Sequence, residues 1–395
     1  MFGNFITGLG YSMTMPFVSL FMSELHNYSK VELNLYAGLA FAATFIAQSL
    51  MAPVWGSLAD RKGRKLMCLR ASGVMSFTIF ITGLATGAWY IIIMRFIQGL
   101  FSGYINNATA LIAGETPHKR SGWVISQMLT ASTAGTLLGP LIGGVLTSAI
   151  GHILPGAWQY RCSFFITGFL MFLVFISTLT FVHEEFTPIE KDKMQPMMSL
   201  LKSLPDLKLV ILMFFTTMIV QSSTLSVDPI VSLYVKSLIP HSPYIVIIAG
   251  IVAAAPGLGT LIASRQMGHK LDEIGPLKAL KIGLLVATIL FIPMGFTNSP
   301  LVLAGLRFLL GIAAVALIPA AQTVLTLSTP KEAFGRIFSY NQAFQALGSV
   351  MGSLMGSTVS GFLSFRDVFW ITGSTLLVVF IILLFNTSKQ TKSAI

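Results

Sequence analysis

The sequence predicts an all-α integral membrane protein: twelve transmembrane helices in two pseudo-symmetric six-helix bundles. Three observations predict it. Of 395 residues, 54% are hydrophobic and 10% are charged, whereas a soluble globule carries roughly 25% charged residues. Apolar runs of about 20 residues recur along the chain and match a hydrocarbon core of about 30 Å, unlike the short alternating segments of a β-barrel. The second half of the chain, finally, repeats the first.

The runs cover 1–23, 35–55, 67–87, 89–112, 122–146, 162–182, 209–233, 244–264, 277–297, 300–325, 336–360 and 367–386. Six lie on each side of the most polar interval, which carries Glu184, Glu185, Glu190, Lys191, Asp192 and Lys193. The expected domains are an N-terminal six-helix bundle at 1–183, its first helix read as clipped at the cytoplasmic end, and a cytoplasmic linker at 184–206. A C-terminal bundle at 207–388 and a cytoplasmic tail at 389–395 follow. No charged leader with a small-residue cleavage site opens the chain, so no signal peptide is expected. Eighteen Lys and Arg fall in the tail and in the loops after runs 2, 4, 6, 8 and 10, against four on the opposite side, Lys30, Arg161, Lys236 and Arg366. That imbalance puts both termini in the cytoplasm. The net charge of +11 is then topology charge meeting anionic headgroups, and nucleic acid is not an expected partner. Cys68 and Cys162 lie near opposite ends of their helices, so no disulfide is expected, and no metal site is suggested.

The repeat is visible in short segments. Gly56-Ser-Leu-Ala-Asp60-Arg61-Lys62-Gly63-Arg64-Lys65, read as a charged loop between runs 2 and 3, recurs in outline around Gly268, Asp272 and Gly275, 212 positions on. Pro16-Phe-Val-Ser-Leu-Phe matches Pro229-Ile-Val-Ser-Leu-Tyr234, and Arg95-Phe-Ile-Gln98-Gly99 matches Arg307-Phe-Leu-Leu-Gly311. Two parallel copies place a substrate site between them and can rock about it.

Each motif has a physical reading. Asp60 can sit at the positive end of a helix from the other half while Gly63 permits a sharp turn; with Gly56, Arg61, Arg64, Glu115, Arg120, Asp272 and Gly275 this forms a candidate conformational latch. Plain topology charge is the competing reading, and it does not require an Asp at the repeated position. Gly135, Gly139 and Gly143 share one helix face, beside Gly144, and admit a close neighbour. Pro140 removes a backbone bond to Thr136 and is expected to kink the helix; Gly348, Gly352 and Gly356 repeat the stripe with Ser353 in place of the proline. Arg95, about two turns inside an apolar run, needs a cavity or a partner. With Gln98 it is a candidate coupling element, unless it snorkels. Asp228 is the acid inside an apolar run and the candidate proton carrier, with a wetted interfacial position as the alternative. Arg307 mates with Arg95 but has the apolar neighbours Leu309 and Leu310. Asn4, Tyr11, Gln48, Gln127, Gln221, Gln322, Asn341 and Gln345 are candidate cavity residues, and 30 Phe, 19 Met and 5 Trp supply adaptable apolar walls.

Along its whole length the chain resembles the major facilitator superfamily and, within it, the twelve-helix drug:proton antiporters of bacterial multidrug efflux. Gly56 to Lys65 looks like that family's loop 2–3 signature, and Arg95, Gln98 and Gly99 look like its helix-4 signature. Gly135-Thr-Leu-Leu-Gly139-Pro140-Leu-Ile-Gly143-Gly144 looks like the helix-5 signature of its exporters. The resemblance implies that helices 1, 4, 7 and 10 surround a central cavity. It also implies proton-coupled efflux of small lipophilic, often cationic drugs by alternating access, by a monomer in the plasma membrane, with the proton gradient and no cofactor as driver. A proton-coupled carrier of a sugar or other small polar metabolite is the alternative, and it calls for more paired polar groups in the central helices; a non-transporting sensor is the third reading. With no nucleotide-binding loop of the Gly-x4-Gly-Lys-[Ser/Thr] kind and no catalytic constellation, neither an ATP-driven pump nor an enzyme is expected.

Overall fold

A computed structural model describes residues 1–116, 118–184, 206–329 and 334–393; within its helices, the side chains at 53, 57, 60, 113–114, 118–123, 125–126, 265–272, 334–336, 339 and 387–393 lie outside the description. Among the described residues every regular element is a helix. In chain order they are α1 Phe2–Met13, α2 Val18–Leu25, α3 Lys30–Lys62, α4 Arg64–Thr82, α5 Ala88–Leu100, α6 Tyr104–Glu115, α7 His118–Gly151 and α8 Ala157–Phe181. The second half supplies α9 Leu207–Val227, α10 Val231–Leu238, α11 Ile245–Ile274, α12 Pro276–Met294, α13 Pro300–Ala314, α14 Leu317–Leu327, α15 Phe334–Phe362 and α16 Phe365–Ser393.

Among the described residues, eleven stretches are long and apolar enough to cross a membrane. The predicted run 11 corresponds to α15, which has the length at 29 residues, but its described part, with Asn341, Gln342, Gln345 and several Ser and Gly, is less apolar. The outward faces suit lipid: Phe77, Ile93, Phe169, Leu301 and Phe385 are all more than half exposed, a surface no water-soluble monomer presents on this scale.

Helix starts follow local chemistry. Ser29 and Glu32 close a capping box at the head of α3, with Glu32 N–H donating to Ser29 Oγ at 3.2 Å and Ser29 N–H to Glu32 Oε2 at 2.9 Å. Asp206 accepts the Leu209 N–H at 3.0 Å and starts α9. One expectation fails here. Gly56 to Lys62 is not a loop but the last two turns of α3, and the chain turns at Gly63 alone, φ 89°, before α4 begins at Arg64. Arg61 and Lys62 favour that helical ending because their charges oppose the negative end of the helix dipole. Gly275, φ 84°, makes the same single-residue turn between α11 and α12. Pro140 lies inside α7, which continues past it to Gly151.

The packing divides the chain into two units, residues 1–191 with 229–254, and residues 192–228 with 255–395. The first unit therefore takes α10 and the beginning of α11 from the second half of the sequence. Ser232 Oγ donates to the Pro16 carbonyl, and Lys236 Nζ donates to Ser23 Oγ at 3.2 Å. Glycines do the rest. A Cβ on Gly144 would stand 3.1 Å from the Val246 carbonyl oxygen, and one on Gly250 2.5 Å from that of Pro140, so α7 and α11 cross almost backbone to backbone. Within the second unit α9 packs on α15 and α12 on α16.

Candidate functional site

Four of the twelve predicted runs are broken helices, and they are runs 1, 4, 7 and 10. Run 1 is α1 and α2 joined by a 3-10 turn at Met15–Phe17; run 4 is α5 and α6; run 7 is α9 and α10; run 10 is α13 and α14. Pro16 and Pro229 cannot donate to the turn before them, and Pro319 likewise cannot reach Val315. Gly103 takes φ 111°, which other residues avoid. Breaks of this kind are tolerated at membrane depth where protein or a cavity satisfies the freed groups.

The break in run 7 holds Asp228. It is the C-terminal cap of α9, and its Oδ1 lies 3.0 Å from Arg307 Nη2 of α13, an ion pair with side chains 37% and 6% exposed. Arg307 Nη1 is buried without an acceptor among the described residues, so the Asp228 contact meets only one edge of the guanidinium. Sequence reasoning takes Asp228 and Arg307 as separate candidates for coupling and names no partner for either; the structure pairs them. The signal was present in part, since Arg307 is the repeat mate of Arg95, but the two residues stand 79 positions apart, and nothing local encodes their meeting.

Arg95 belongs to the first unit, on α5, and is 3% exposed. Its Nη1 donates to Gln98 Oε1 at 3.3 Å, and its carbonyl accepts from Thr44 Oγ1 at 3.3 Å. Arg95 Nη2 and Gln98 Nε2 are buried donors with no acceptor among the described residues. Gly99 lets α3 approach, because a Cβ there would stand 2.9 Å from that of Ala47. Gly311 does the same against Pro256 of α11, with 2.7 Å to its Cα.

The glycine stripe of α7 faces α1. A Cβ on Gly135 would lie 2.8 Å from Leu9 N, on Gly139 2.9 Å from Met13 N and on Gly143 3.1 Å from Met13 C. Gly348, Gly352 and Gly356 of α15 meet Met218, Ser222 and Ser226 of α9 in the same way, with carbonyl carbons at 2.9, 2.9 and 2.6 Å. The adjacent pair Gly143 and Gly144 thus serves two neighbours at once, α1 and α11.

Around Gly63 the structure shows an anchor that sequence reasoning assigns to the linker. Glu184, just beyond α8, accepts the Arg64 N–H at 2.7 Å and the Lys65 N–H at 2.8 Å. It caps α4 from the segment that follows α8. The side chains of Asp60, Arg120 and Asp272 lie outside the described residues; Gly56 is exposed with no atom within 4 Å of a Cβ built on it, Arg61 and Glu115 are exposed, and Arg64 is half-buried.

The candidate cavity residues divide. Asn4 is 1% exposed and ties α1 to its own bundle, its Nδ2 donating to Thr109 Oγ1 at 3.1 Å and to the Met128 carbonyl at 3.2 Å. Asn341 is fully buried and accepts Thr217 Oγ1 at 2.6 Å, joining α15 to α9. Tyr11, Gln48, Gln127, Gln221, Gln322 and Gln345 are half-buried.

The sequence profile of the Major Facilitator Superfamily matches residues 1–247 and 244–395. The chain is 41% identical over 375 residues to "Multidrug resistance protein MdtG" of Salmonella dublin, covering 95% of this chain and 91% of that protein. It is equally 41% identical over 375 residues to the protein of the same name from Enterobacter lignolyticus, covering 95% and 88%. Among solved structures, a bacterial homolog of the human lysosomal transporter Spinster, inward-facing and occupied, aligns with TM-score 0.74 at 15% identity over 98% of this chain and 96% of that one. The nucleoside transporter NupG aligns with TM-score 0.74 at 13% identity over 97% and 96%. At those identities the likeness is one of fold.

Proposed function

Because this chain belongs to the Major Facilitator Superfamily, we propose that it is a secondary active exporter of small lipophilic, often cationic drugs, driven by inward proton flow. The relatives named multidrug resistance proteins support the substrate class, and the ion pair of Asp228 with Arg307 carries the coupling. A proton that binds the Asp228 carboxylate removes its charge and releases Arg307, which then sits buried and uncompensated, a state the surrounding helices resist. Deprotonation restores the pair. A cationic substrate that draws on the same carboxylate competes with the proton, and mutual exclusion of the two is the minimum that exchange requires. In this reading Gly63, Gly275 and both termini face the cytoplasm, as the loop cations favour, and the monomer works without a cofactor. Arg95, with Gln98, serves as the second polar element of coupling in the first half. The latch of Gly56, Asp60 and their neighbours stays part of the proposal.

The test is uphill dye export from proteoliposomes under an imposed proton gradient. Asp228→Asn is expected to lose uphill export while retaining dye exchange at equilibrium, because binding survives and coupling does not. Proton-dependent uphill export by Asp228→Asn would show that the proton travels elsewhere.

A further inference from the structure

A third arginine lies inside an apolar helix, and no motif accounts for it. Arg70 stands two turns into α4, where a lone guanidinium is costly unless its charge and donors are met. Its Nη2 donates to the Ser102 carbonyl at 3.0 Å, and its Cζ stands 3.6 Å from the centre of the Trp55 ring. Trp55, on α3, donates its indole N–H to the Leu100 carbonyl at 2.6 Å and packs on Phe101, ring centroids 5.6 Å apart. Leu100 to Ser102 is the place where α5 stops, short of Gly103 and the start of α6. Among the described bonds no main-chain N–H reaches the Leu100 or Ser102 carbonyl, so the groups freed by the break are satisfied by two side chains from two other helices.

Arginine suits this place. Its guanidinium carbon sits over the indole while one of its nitrogens donates to the carbonyl, a combination that a planar fork of five donors makes more readily than a lysine ammonium. Arg95 and Gln98 sit on α5 within two turns of the clasp. The second half provides a control within the same chain: at a shift of 212 the positions of Trp55, Arg70, Gln98 and Gly103 hold Met267, Ile282, Leu310 and Val315. The clasp and the Arg-Gln pair occur together in one half and are both missing from the other.

We propose that Trp55 and Arg70 are positioning residues that clasp the break in the fourth span and so fix the direction in which α5 presents Arg95 and Gln98. The proposal rests on the coupling role assigned to Arg95 above. Spin labels at Ile93 and Ala110, on a background with Cys68 and Cys162 replaced by alanine, report the distance across the break. Transport by the same variants is measured in proteoliposomes. Arg70→Met and Trp55→Phe are expected to broaden the distance distribution and to lower turnover roughly tenfold at little-changed KM, with Arg70→Lys intermediate in both. An unchanged distance distribution in both variants, or a changed one with full turnover, overturns the proposal. A lower melting temperature with an unchanged distance also overturns it, because that is the behaviour of a merely structural contact. If Arg70→Met does not accumulate in membranes, Trp55→Phe decides alone. If the parent chain shows no proton-driven transport, the coupling reading falls, while the label distances still report whether the clasp exists.

Discussion

A single carboxylate can start a helix that is not its own. Glu184 meets two of the free N–H groups at the head of α4 and places negative charge at the positive end of its dipole. Both bonds disappear in Glu184→Ala, which is expected to cost about 1–2 kcal/mol. Glu184→Gln keeps one acceptor without the charge and should lose about half as much. Thermal unfolding of the purified protein in detergent measures this, and an unchanged midpoint in the alanine variant would remove Glu184 from the account of how α4 begins. Sequence inspection missed the role because a cap usually stands next to its helix, whereas Glu184 lies 120 residues from Arg64. For the same reason Arg307 was undervalued: its local neighbours are apolar, and its partner is remote.

At the scale of the element, glycines of one motif have opposite duties. Gly56 is helical, exposed and free of neighbours, so Gly56→Ala is expected to be neutral or to stabilise by about 0.5–1 kcal/mol. Gly63 turns the chain at φ 89°, and a Cβ added there would stand only 2.7 Å from Glu184 Oε2, so Gly63→Ala should destabilise by about 1–2 kcal/mol. Melting temperatures of the two variants should therefore move in opposite directions, and shifts of equal sign would refute the assignment. Apolar run length and the spacing of the α7 glycines are local properties, which is why the spans and the stripe were legible. The ends of α3 were not, because the charge that marks a loop also stabilises the last turn of a helix. The breaks were not read, because an apolar run stays continuous across them: Pro16 and Pro229 lie at two of them, while Val315 and Ala316 look helical and depend on a proline further along.

On the scale of the molecule, packing departs from the duplicated sequence where the glycines Gly144 and Gly250 let α7 and α11 touch. The repeat divides the chain near its polar interval, but residues 229–254 pack with the first half, a fact recorded only in which backbones come close. Gly250→Leu is expected to force these helices apart and expose Ser232, which is fully buried beneath Pro16. A cysteine at position 232 should then label roughly tenfold faster with a membrane-impermeant maleimide, corresponding to about 1.4 kcal/mol in the opening equilibrium. Equal labelling with and without the leucine would mean that the crossing does not hold the segment.

The one-residue turns have a mechanical consequence. α3 passes to α4 through Gly63 alone, and α11 passes to α12 through Gly275 alone. A longer connection spreads a change of direction over many soft dihedrals, two for each residue. A single glycine has only two, so any change in the angle between α3 and α4, or between α11 and α12, is concentrated at one residue, which places the pivot of each hairpin at its glycine.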